Sequence, residues 1–372
     1  MILFLHNRYR TTGGEERVVE DLLWLAREHL GEDARLLTRD SATIGRVRAA
    51  AGLLGGGLGP EQIAAAVRGG GARIVHAHNL HPSLGWRALA AAREAGARTI
   101  LHLHNYRLVC AVGTCFTRGA DCTRCHARDT LPGVRRNCRG TGAEAAVYGA
   151  SLALWQRRVV EHADAVVVPS VAALARLRAL GAPLDGVAVH VVGHPVRAFA
   201  GTSTAARGEH ALVVSRLAPE KGVDVAIAAC AAAGLPLVIA GDGPHRAALQ
   251  ARAAGTRTTF VGRVGADELA RLRAAAGLAI VPSRSAETFG LAAAEAMAAG
   301  LPVVASAIGA LPELCDPAGL VAPGDAAALA VAVRARFGDA EAGEAGRRRI
   351  IALAAPATVA LALRAVYDSV LL

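Results

Sequence analysis

Two glutamates separated by seven residues form the polar pair that most clearly suggests chemistry in this sequence. Glu287 and Glu295 stand in segment 282–300, which is otherwise rich in small and apolar residues. The spacing predicts a loop at Glu287, after a buried strand, and a helix that carries Glu295 about two turns along. Glu295 is then either a solvated carboxylate or a group that binds ligand hydroxyls, because a carboxylate is not buried without a partner.

The only lysine of the chain, Lys221, lies five residues after Arg216 in a loop that follows another predicted strand. Arginine stands at the other 40 basic positions. Two cations at the carboxyl end of a parallel strand suit a phosphate group, although surface cations in a loop are also common. The solitary lysine favours anion binding, because its compact ammonium differs from a planar guanidinium.

Glycines and histidines give the first half of the chain a second set of candidates. Gly13 and Gly14 lie between a predicted strand and a helix, so they form either a simple turn or a site where backbone amides approach an anion. His104 ends a predicted strand. His76 and His78 alternate along a strand, which predicts that they face opposite sides of the sheet and share no metal ion.

Four cysteines with one Cys-x2-Cys pair could close a loop around zinc. They are Cys110, Cys122, Cys125 and Cys138. Four thiolates are a common structural zinc set, but two paired knuckles would be a stronger pattern than this one. Structural zinc and buried free thiols therefore remain equal alternatives, with redox or disulfide chemistry as a lesser one. Cys115 lies outside the spacing.

The 372 residues are 53% hydrophobic and 19% charged, which is enough for two domains with cores of small aliphatic side chains. Buried strands alternate with amphipathic helices along the chain, which predicts parallel sheets covered by helices on both faces. The predicted division is a first domain at 1–196, a linker at 197–208, a second domain at 209–355 and a final helix at 356–372. Helical apolar spacing returns in that last segment.

Composition also excludes some classes of protein. Aromatic residues make up only 3% of the chain, which argues against a nucleic-acid binder that stacks bases. The first strand is not followed by Gly-x-Gly-x-x-Gly, which argues against a nicotinamide dehydrogenase. The start lacks the pattern of a signal peptide, and we expect no transmembrane segment.

The net charge of +10 is concentrated in residues 1–195, which contain 24 arginines and 16 acidic residues. This excess is either a basic surface without a specific partner or a contact for anionic lipid or an acidic acceptor. We therefore expect a cytoplasmic protein, with peripheral contact to the inner membrane surface through the first domain as the second option.

These motifs together resemble the retaining GT-B glycosyltransferases of family 4, also called group 1 glycosyltransferases. The resemblance covers nearly the whole chain, and its specificity comes from the order and spacing of the motifs. They are His6-Asn7-Arg8-Tyr9 with Gly13-Gly14-Glu15-Glu16, Val75-His76-Ala77-His78-Asn79-Leu80, Leu103-His104-Asn105-Tyr106-Arg107, the loop 215–222, Gly241-Asp242-Gly243-Pro244, Phe260-Val261-Gly262, and the Glu287/Glu295 pair.

The resemblance implies two Rossmann-like domains that face a cleft, with a C-terminal helix that crosses back to the first domain. It also implies transfer of a sugar from a nucleoside diphosphate sugar, with UDP favoured over GDP, to an unidentified hydroxyl acceptor. No Asp-x-Asp occurs in the chain, so we expect catalysis without a metal cofactor. A related hydrolase or epimerase, or a silent nucleotide-sugar-binding subunit, remains the alternative.

The roles of individual residues follow from the same resemblance. Arg216 and Lys221 would hold the diphosphate, Glu295 the ribose, and Glu287 with His104 the donor sugar. The remaining donor-binding positions would be Gly13, Gly14, Arg263, Thr288, Phe289, Gly290 and Leu291.

Overall fold

The computed structural model describes residues 1–9 and 13–372, which divide into two compact units. The first unit comprises Met1–Thr117, Cys122–Pro195 and Pro356–Leu372, and the second comprises Arg118–Asp121 and Val196–Ala355. The expected pair of α/β domains is confirmed, and the end of the chain belongs to the first unit. Residues 197–208, predicted as a linker, lie in the second unit, where a 3-10 turn at Ala205–Arg207 buries Ala205.

The elements up to residue 195 alternate between strands and helices. They are β1 (Ile2–Arg8), α1 (Gly14–Glu28), β2 (Ala34–Asp40), α2 (Arg46–Gly55), α3 (Pro60–Gly70), β3 (Ile74–Ala77), α4 (Gly85–Glu94), β4 (Arg98–His102), β5 (Phe116–Thr117), β6 (Ala120–Asp121), α5 (Leu131–Arg135), α6 (Gly142–Glu161), β7 (Ala165–Val168), α7 (Val171–Ala179) and β8 (Ala188–Val191).

The same alternation continues from residue 210 to the end of the chain. The elements are β9 (His210–Val214), α8 (Val223–Ala233), β10 (Leu237–Ala240), α9 (Arg246–Arg252), β11 (Thr258–Gly262), α10 (Ala266–Ala274), β12 (Ala276–Val281), α11 (Leu291–Ala298), β13 (Val303–Ser306), α12 (Leu311–Leu314), β14 (Leu320–Val321), α13 (Ala326–Arg336), α14 (Ala340–Ala354) and α15 (Pro356–Leu371).

Each unit is built on a six-stranded parallel sheet. The strand order is β2-β1-β3-β4-β7-β8 in the first unit and β11-β10-β9-β12-β13-β14 in the second. The order therefore reverses between β1 and β3 in the first sheet and between β9 and β12 in the second. Open α/β sheets bind ligands at such a reversal, beside the loops at the carboxyl ends of the strands.

Small aliphatic residues form the cores, as the composition predicts. All six residues of β12 are buried, as are the first six of β1, because helices cover both faces of each sheet. In the second unit, α8 and α13 pack against one another and against the sheet through side chains such as Ile227, Leu329 and Val333. The loops of the second unit thus extend from a closely packed core.

The stretch Ala340–Leu371 is long and apolar enough to cross a membrane by length and composition, because it contains an 18-residue window with a mean hydropathy of 1.8. The expectation of no transmembrane segment stays a prediction, since core helices of other proteins meet the same criterion. The stretch is not one continuous helix, because Ala355 is extended (φ −60°, ψ 144°) directly before Pro356. On one side of this break α14 contacts α11, and on the other α15 contacts α1 and β4. It therefore forms two helices that pack on the units.

Candidate functional site

The reversal of strand order between β9 and β12 brings together residues 66 positions apart in the sequence. The Lys221 ammonium donates to Glu287 Oε1 at 2.7 Å, and the Ser283 hydroxyl donates to the same oxygen at 2.6 Å. Burial alone would raise the pKa of the Glu287 carboxyl, but Lys221, Ser283 and Arg216 together hold it below its ordinary value. Glu287 is therefore an ionised carboxylate held beside a cation.

Arg216 lies at the start of the same loop and forms an ion pair with Glu220. Its side chain is half exposed, whereas that of Lys221 is 27% exposed. The electrostatic effect of Arg216 on Glu287 shows that both cations act on one small region of the second unit. Each cation has a carboxylate partner that an incoming phosphate would have to displace.

Two glycines shape the loops that follow β9 and β12. Gly222 has a φ of 63° and begins α8, and a Cβ at this position would lie 2.0 Å from the Pro282 carbonyl oxygen. Gly290 has a φ of 95° and begins α11. Both conformations are left-handed and favour glycine. The loops after β9 and β12 therefore contact each other directly through backbone atoms.

The side chains of the turn that leads into α11 differ in how deeply they are buried. Phe289 is buried in the core of the second unit, while Thr288 and Leu291 are half-buried. Phe289 thus anchors the turn, and its backbone leads from Glu287 to the start of α11. The contacts of these residues with a donor sugar stay a prediction.

Glu295 forms an ion pair with Arg273 of α10. The two side chains are only 12% and 15% exposed, so Glu295 is neither freely solvated nor buried without a partner. The sequence analysis missed Arg273, because the pairing depends on how two separate helices pack. Arg263, by contrast, is an exposed residue directly after the edge strand β11.

Gly13 is the N-cap of α1 in the first unit, and Gly14 is the first helical residue. The Glu16 carboxylate accepts from the Gly13 amide at 2.8 Å and from the Tyr9 amide at 3.0 Å. The helix therefore caps itself with its own acidic residue. Both glycines are exposed, and residues 10–12 of the predicted glycine loop lie outside the described residues.

Four side chains from two of the sequence motifs, to which the sequence analysis assigned no role, form a polar group at this helix start. Glu15 Oε2 accepts from the Tyr9 hydroxyl at 2.8 Å and from Asn105 Nδ2 at 2.9 Å, and the Arg107 guanidinium lies 4.9 Å from the centre of the Tyr9 ring. Burial raises the pKa of the Glu15 carboxyl. Glu15, Asn105 and Arg107 border a cavity of the first unit that His104 also lines.

The prediction that His76 and His78 face opposite sides of the sheet is wrong. Their ring centres are 4.5 Å apart. The alternation fails because β3 ends at Ala77, so His78 already belongs to the loop and turns back toward the same side. His104 likewise lies two residues beyond the end of β4, and its Nε2 is 2.7 Å from His78 Nδ1.

The cysteines predicted as a zinc site border one cavity of the first unit. Cys110, Cys115, Cys122, Cys125 and Cys138 all line it, and all are free thiols. Within the described part of the chain, no three of their sulfur atoms lie within 4.8 Å of one another. Four thiolates at about 2.3 Å from one ion would be closer together than this, so the observed arrangement is more open than a closed zinc site. Structural zinc stays a prediction.

Cys110 is expected to react with an alkylating agent well before the core cysteines. A hydrogen bond from Cys115 lowers the pKa of Cys110 to about 6 against the effect of burial, whereas burial raises those of Cys230 and Cys315 to about 12. The thiolate is the nucleophile, so at neutral pH Cys110 has the advantage. Timed alkylation of the native protein followed by peptide mass spectrometry measures the order, and equal rates at the three positions would contradict it.

The same labelling experiment tests the zinc prediction. Bound zinc would protect Cys110, Cys122, Cys125 and Cys138, and a chelator would restore their labelling. Labelling that a chelator does not change, in protein that contains no zinc by elemental analysis, would contradict zinc binding. The Cys122→Ser variant is the control for specific protection.

Comparison with known proteins identifies the family. A family model described as "Glycosyl transferase 4-like domain" matches residues 12–193, and one described as "Glycosyl transferases group 1" matches residues 208–339. The chain therefore belongs to the group 1, or family 4, glycosyltransferases. These enzymes use nucleotide-sugar donors, and the two sheets described above are the GT-B fold of the family.

Individual relatives are similar over parts of the chain. The glycogen synthase of Mycobacterium tuberculosis is 41% identical over 172 residues, which are 42% of this chain and 41% of that protein. The GDP-mannose-dependent alpha-(1-6)-phosphatidylinositol dimannoside mannosyltransferase of M. tuberculosis is 43% identical over 126 residues, or 32% of this chain and 33% of that protein. This chain thus covers less than half the length of these curated relatives.

A solved structure matches the whole chain. Anabaena HepE, determined in complex with UDP and glucose, covers 99% of both chains with a TM-score of 0.67 at 16% sequence identity. At 16% sequence identity, this similarity establishes the fold alone.

Proposed function

We propose that this protein transfers a sugar from a nucleoside diphosphate sugar to an acceptor hydroxyl, with retention of anomeric configuration and without a metal ion at the diphosphate. The observation that carries the proposal is the group of Lys221, Arg216 and Glu287 at the reversal of strand order in the second unit. Family membership supports it.

Donor binding would exchange one set of ion pairs for another. In the structure, Lys221 is paired with Glu287, and Arg216 with Glu220. A diphosphate would take over both cations, because it carries more negative charge and several acceptor oxygens. Glu287 would then be released from Lys221 and would turn to the sugar hydroxyls, while Ser283 still donates to it.

The two cations would also lower the barrier to the reaction. As the bond between the sugar and the phosphate breaks, negative charge grows on the leaving diphosphate, and fixed cations stabilise it more than they stabilise the ground state. The acceptor would attack from the face that the phosphate leaves, and the departing phosphate oxygen would take the hydroxyl proton. No protein nucleophile is then required, which separates this reaction from the two-carboxylate glycosidase mechanism.

The comparisons support two different nucleotides in the donor. The fold match to a protein solved with UDP and glucose supports a UDP-sugar, which we favour. The 43% identity to a GDP-mannose-dependent enzyme, over about a third of the chain, supports a GDP-sugar as the alternative. In either case Glu295 would bind the ribose hydroxyls, and Arg263 would border the base.

The acceptor would bind in the first unit. The cavity that contains His104, Asn105, Arg107 and Glu15 offers both hydrogen-bond donors and acceptors for a polar acceptor. The excess of arginine in residues 1–195 would suit an anionic acceptor or a lipid surface, and a cytoplasmic location with peripheral membrane contact is consistent with it.

A thermal-shift panel of UDP, GDP, ADP and TDP without added metal tests donor binding. A ligand that binds only the folded state raises Tm, and a concentration 100 times its Kd adds about 2.7 kcal/mol. We expect a strong shift with UDP, a weaker one in Glu295→Gln, and no loss in Glu268→Gln, which removes an exposed carboxylate of α10. No shift with any nucleotide in folded protein would contradict the donor site.

Product analysis tests the reaction itself. A glycosylated acceptor whose anomeric configuration by NMR matches that of the donor is expected. Free sugar alone would indicate a hydrolase, and a nucleotide shift without any turnover of donor would indicate a silent binding subunit.

A further inference from the structure

Five histidines gather at the carboxyl ends of β3 and β4 and after β8 in the first unit, and we call them the histidine cluster. They are His76, His78, His102, His104 and His194. His76, His78, His102 and His194 are each no more than 3% exposed. Burying so many polar rings is costly unless their nitrogen atoms are engaged, so the cluster calls for a physical explanation.

Three members of the cluster have the arrangement of metal ligands. One ring nitrogen from each of His102, His104 and His194 lies within 4.8 Å of the other two. The ring centres are 4.2 Å apart for His102 and His104 and 5.3 Å apart for His104 and His194. Imidazole nitrogens that share a tetrahedral zinc ion lie about 3.3 Å apart, so small side-chain rotations would close the site.

Hydrogen bonds behind two of the three rings, those of His102 and His104, resemble the support that metal ligands have in proteins. His102 Nδ1 is 3.2 Å from His76 Nε2, and His76 Nδ1 is 2.9 Å from the Tyr367 hydroxyl of α15. His104 Nε2 is 2.7 Å from His78 Nδ1. Partners of this kind fix which ring nitrogen carries the proton and which way the ring points.

His102 supplies the most direct sign of a ligand. Its Nε2 is buried and forms no hydrogen bond with any of residues 1–9 and 13–372. Its Nδ1, by contrast, is hydrogen-bonded to His76. Burial lowers the pKa values of His102 and His104 and lowers that of His194 to about 3, so these rings are neutral at physiological pH. Neutral imidazole is the form that coordinates metals.

A second group of three, His76, His78 and His102, meets the same distance criterion. It is the weaker candidate, because both nitrogens of His76 are already hydrogen-bonded, one to Tyr367 and one to His102. Coordination by His76 would break one of these bonds. His76 is better placed to orient His102 than to bind an ion.

We propose that His102, His104 and His194 bind one divalent transition-metal ion of the Zn²⁺ class, with a fourth position open to water or another ligand. Three histidines with an open position form a recognised zinc geometry. The three ligands of this site lie in the first unit, whereas Arg216 and Lys221, which would bind the diphosphate, lie in the second unit. Because His104 is also assigned to the donor sugar, a bound metal and that sugar contact would exclude one another.

The experiment is a Co²⁺ titration of the full chain in a Cys122→Ser/Cys125→Ser background, which weakens the competing thiolate site. We expect one Co²⁺ per chain by calorimetry, with visible d–d bands of a tetrahedral site and no thiolate charge-transfer band. His194→Gln should weaken binding by at least tenfold, and His102→Gln should do the same. His76→Gln, which removes the supporting bond to His102 together with the bond to Tyr367, should weaken it by about 10- to 100-fold without abolishing it.

His210→Gln is the matched control, since His210 is a buried histidine of the second unit whose Nε2 also has no hydrogen-bond partner among the described residues. It should leave the Co²⁺ affinity unchanged. Circular dichroism shows which variants fold, and His194→Gln carries the test if His102→Gln does not. Two outcomes would overturn the proposal. One is Co²⁺ binding that survives in His194→Gln, and the other is the absence of Co²⁺ binding in the folded protein of the cysteine background.

Discussion

Replacement of Lys221 by alanine is expected to lower kcat/KM for the donor by about 10²- to 10³-fold, the usual cost of removing one preorganised group that stabilises developing charge. The Lys221 ammonium donates to Glu287 at 2.7 Å and would move to the diphosphate when the donor binds. The variant would lose that charge and would also leave Glu287 without its nearest cation, which raises its pKa. Initial rates at varied donor concentration measure the effect.

Arg284→Ala is the matched control for this prediction. Arg284 lies in the loop after β12, its side chain is 28% exposed compared with 27% for Lys221, and it contacts Asp224 at 2.7 Å. The two variants therefore remove one charge each, at similar exposure, from similar ion pairs. A loss of activity in Arg284→Ala as large as in Lys221→Ala would mean that net charge, and not the position of Lys221, matters. Unchanged activity in Lys221→Ala would refute its assignment to the diphosphate.

Leu363→Ala in α15 is expected to lower the free energy of unfolding of the first unit by about 2–5 kcal/mol, the range for a buried leucine that leaves a cavity. Leu363 is fully buried where α15 packs on the first unit. All three tryptophans, Trp24, Trp86 and Trp155, belong to this unit, so their fluorescence in a urea titration follows its unfolding.

Leu361→Ala makes the same chemical change two residues earlier, where the side chain is 74% exposed. Its effect should stay within about 0.5 kcal/mol. Equal destabilisation by the two substitutions would contradict the observed packing of α15. A fluorescence transition that neither substitution moves would mean that the first unit does not depend on this helix.

The fold could be predicted from the sequence because its signals are local. A buried strand, a glycine-containing loop and an amphipathic helix recur along the chain, and this repetition requires parallel sheets. The loops that contain Lys221 and Glu287 follow β9 and β12, so the topology brings them together. Their convergence was therefore predictable, although their hydrogen bonds were not.

Other features depend on packing between elements and were not predictable in the same way. Glu295 of α11 pairs with Arg273 of α10, 22 positions earlier in the chain, and no sequence spacing encodes that contact. The orientation of His78 depends on where β3 ends, and a one-residue difference at a strand end reverses the side to which a residue points. Element ends are the least certain part of any pattern, which explains why the prediction for His76 and His78 was wrong.

The return of α15 to the first unit also has a consequence for biosynthesis. The ribosome completes residues 1–195 first, but the helix that buries Leu363 and brings Tyr367 to His76 follows only after the whole second unit has been made. At about 5–20 residues per second, that delay is roughly 10–30 s. During this interval the apolar face that α15 covers is open, so nascent chains should depend on chaperones mainly through the first unit, even though it is translated first.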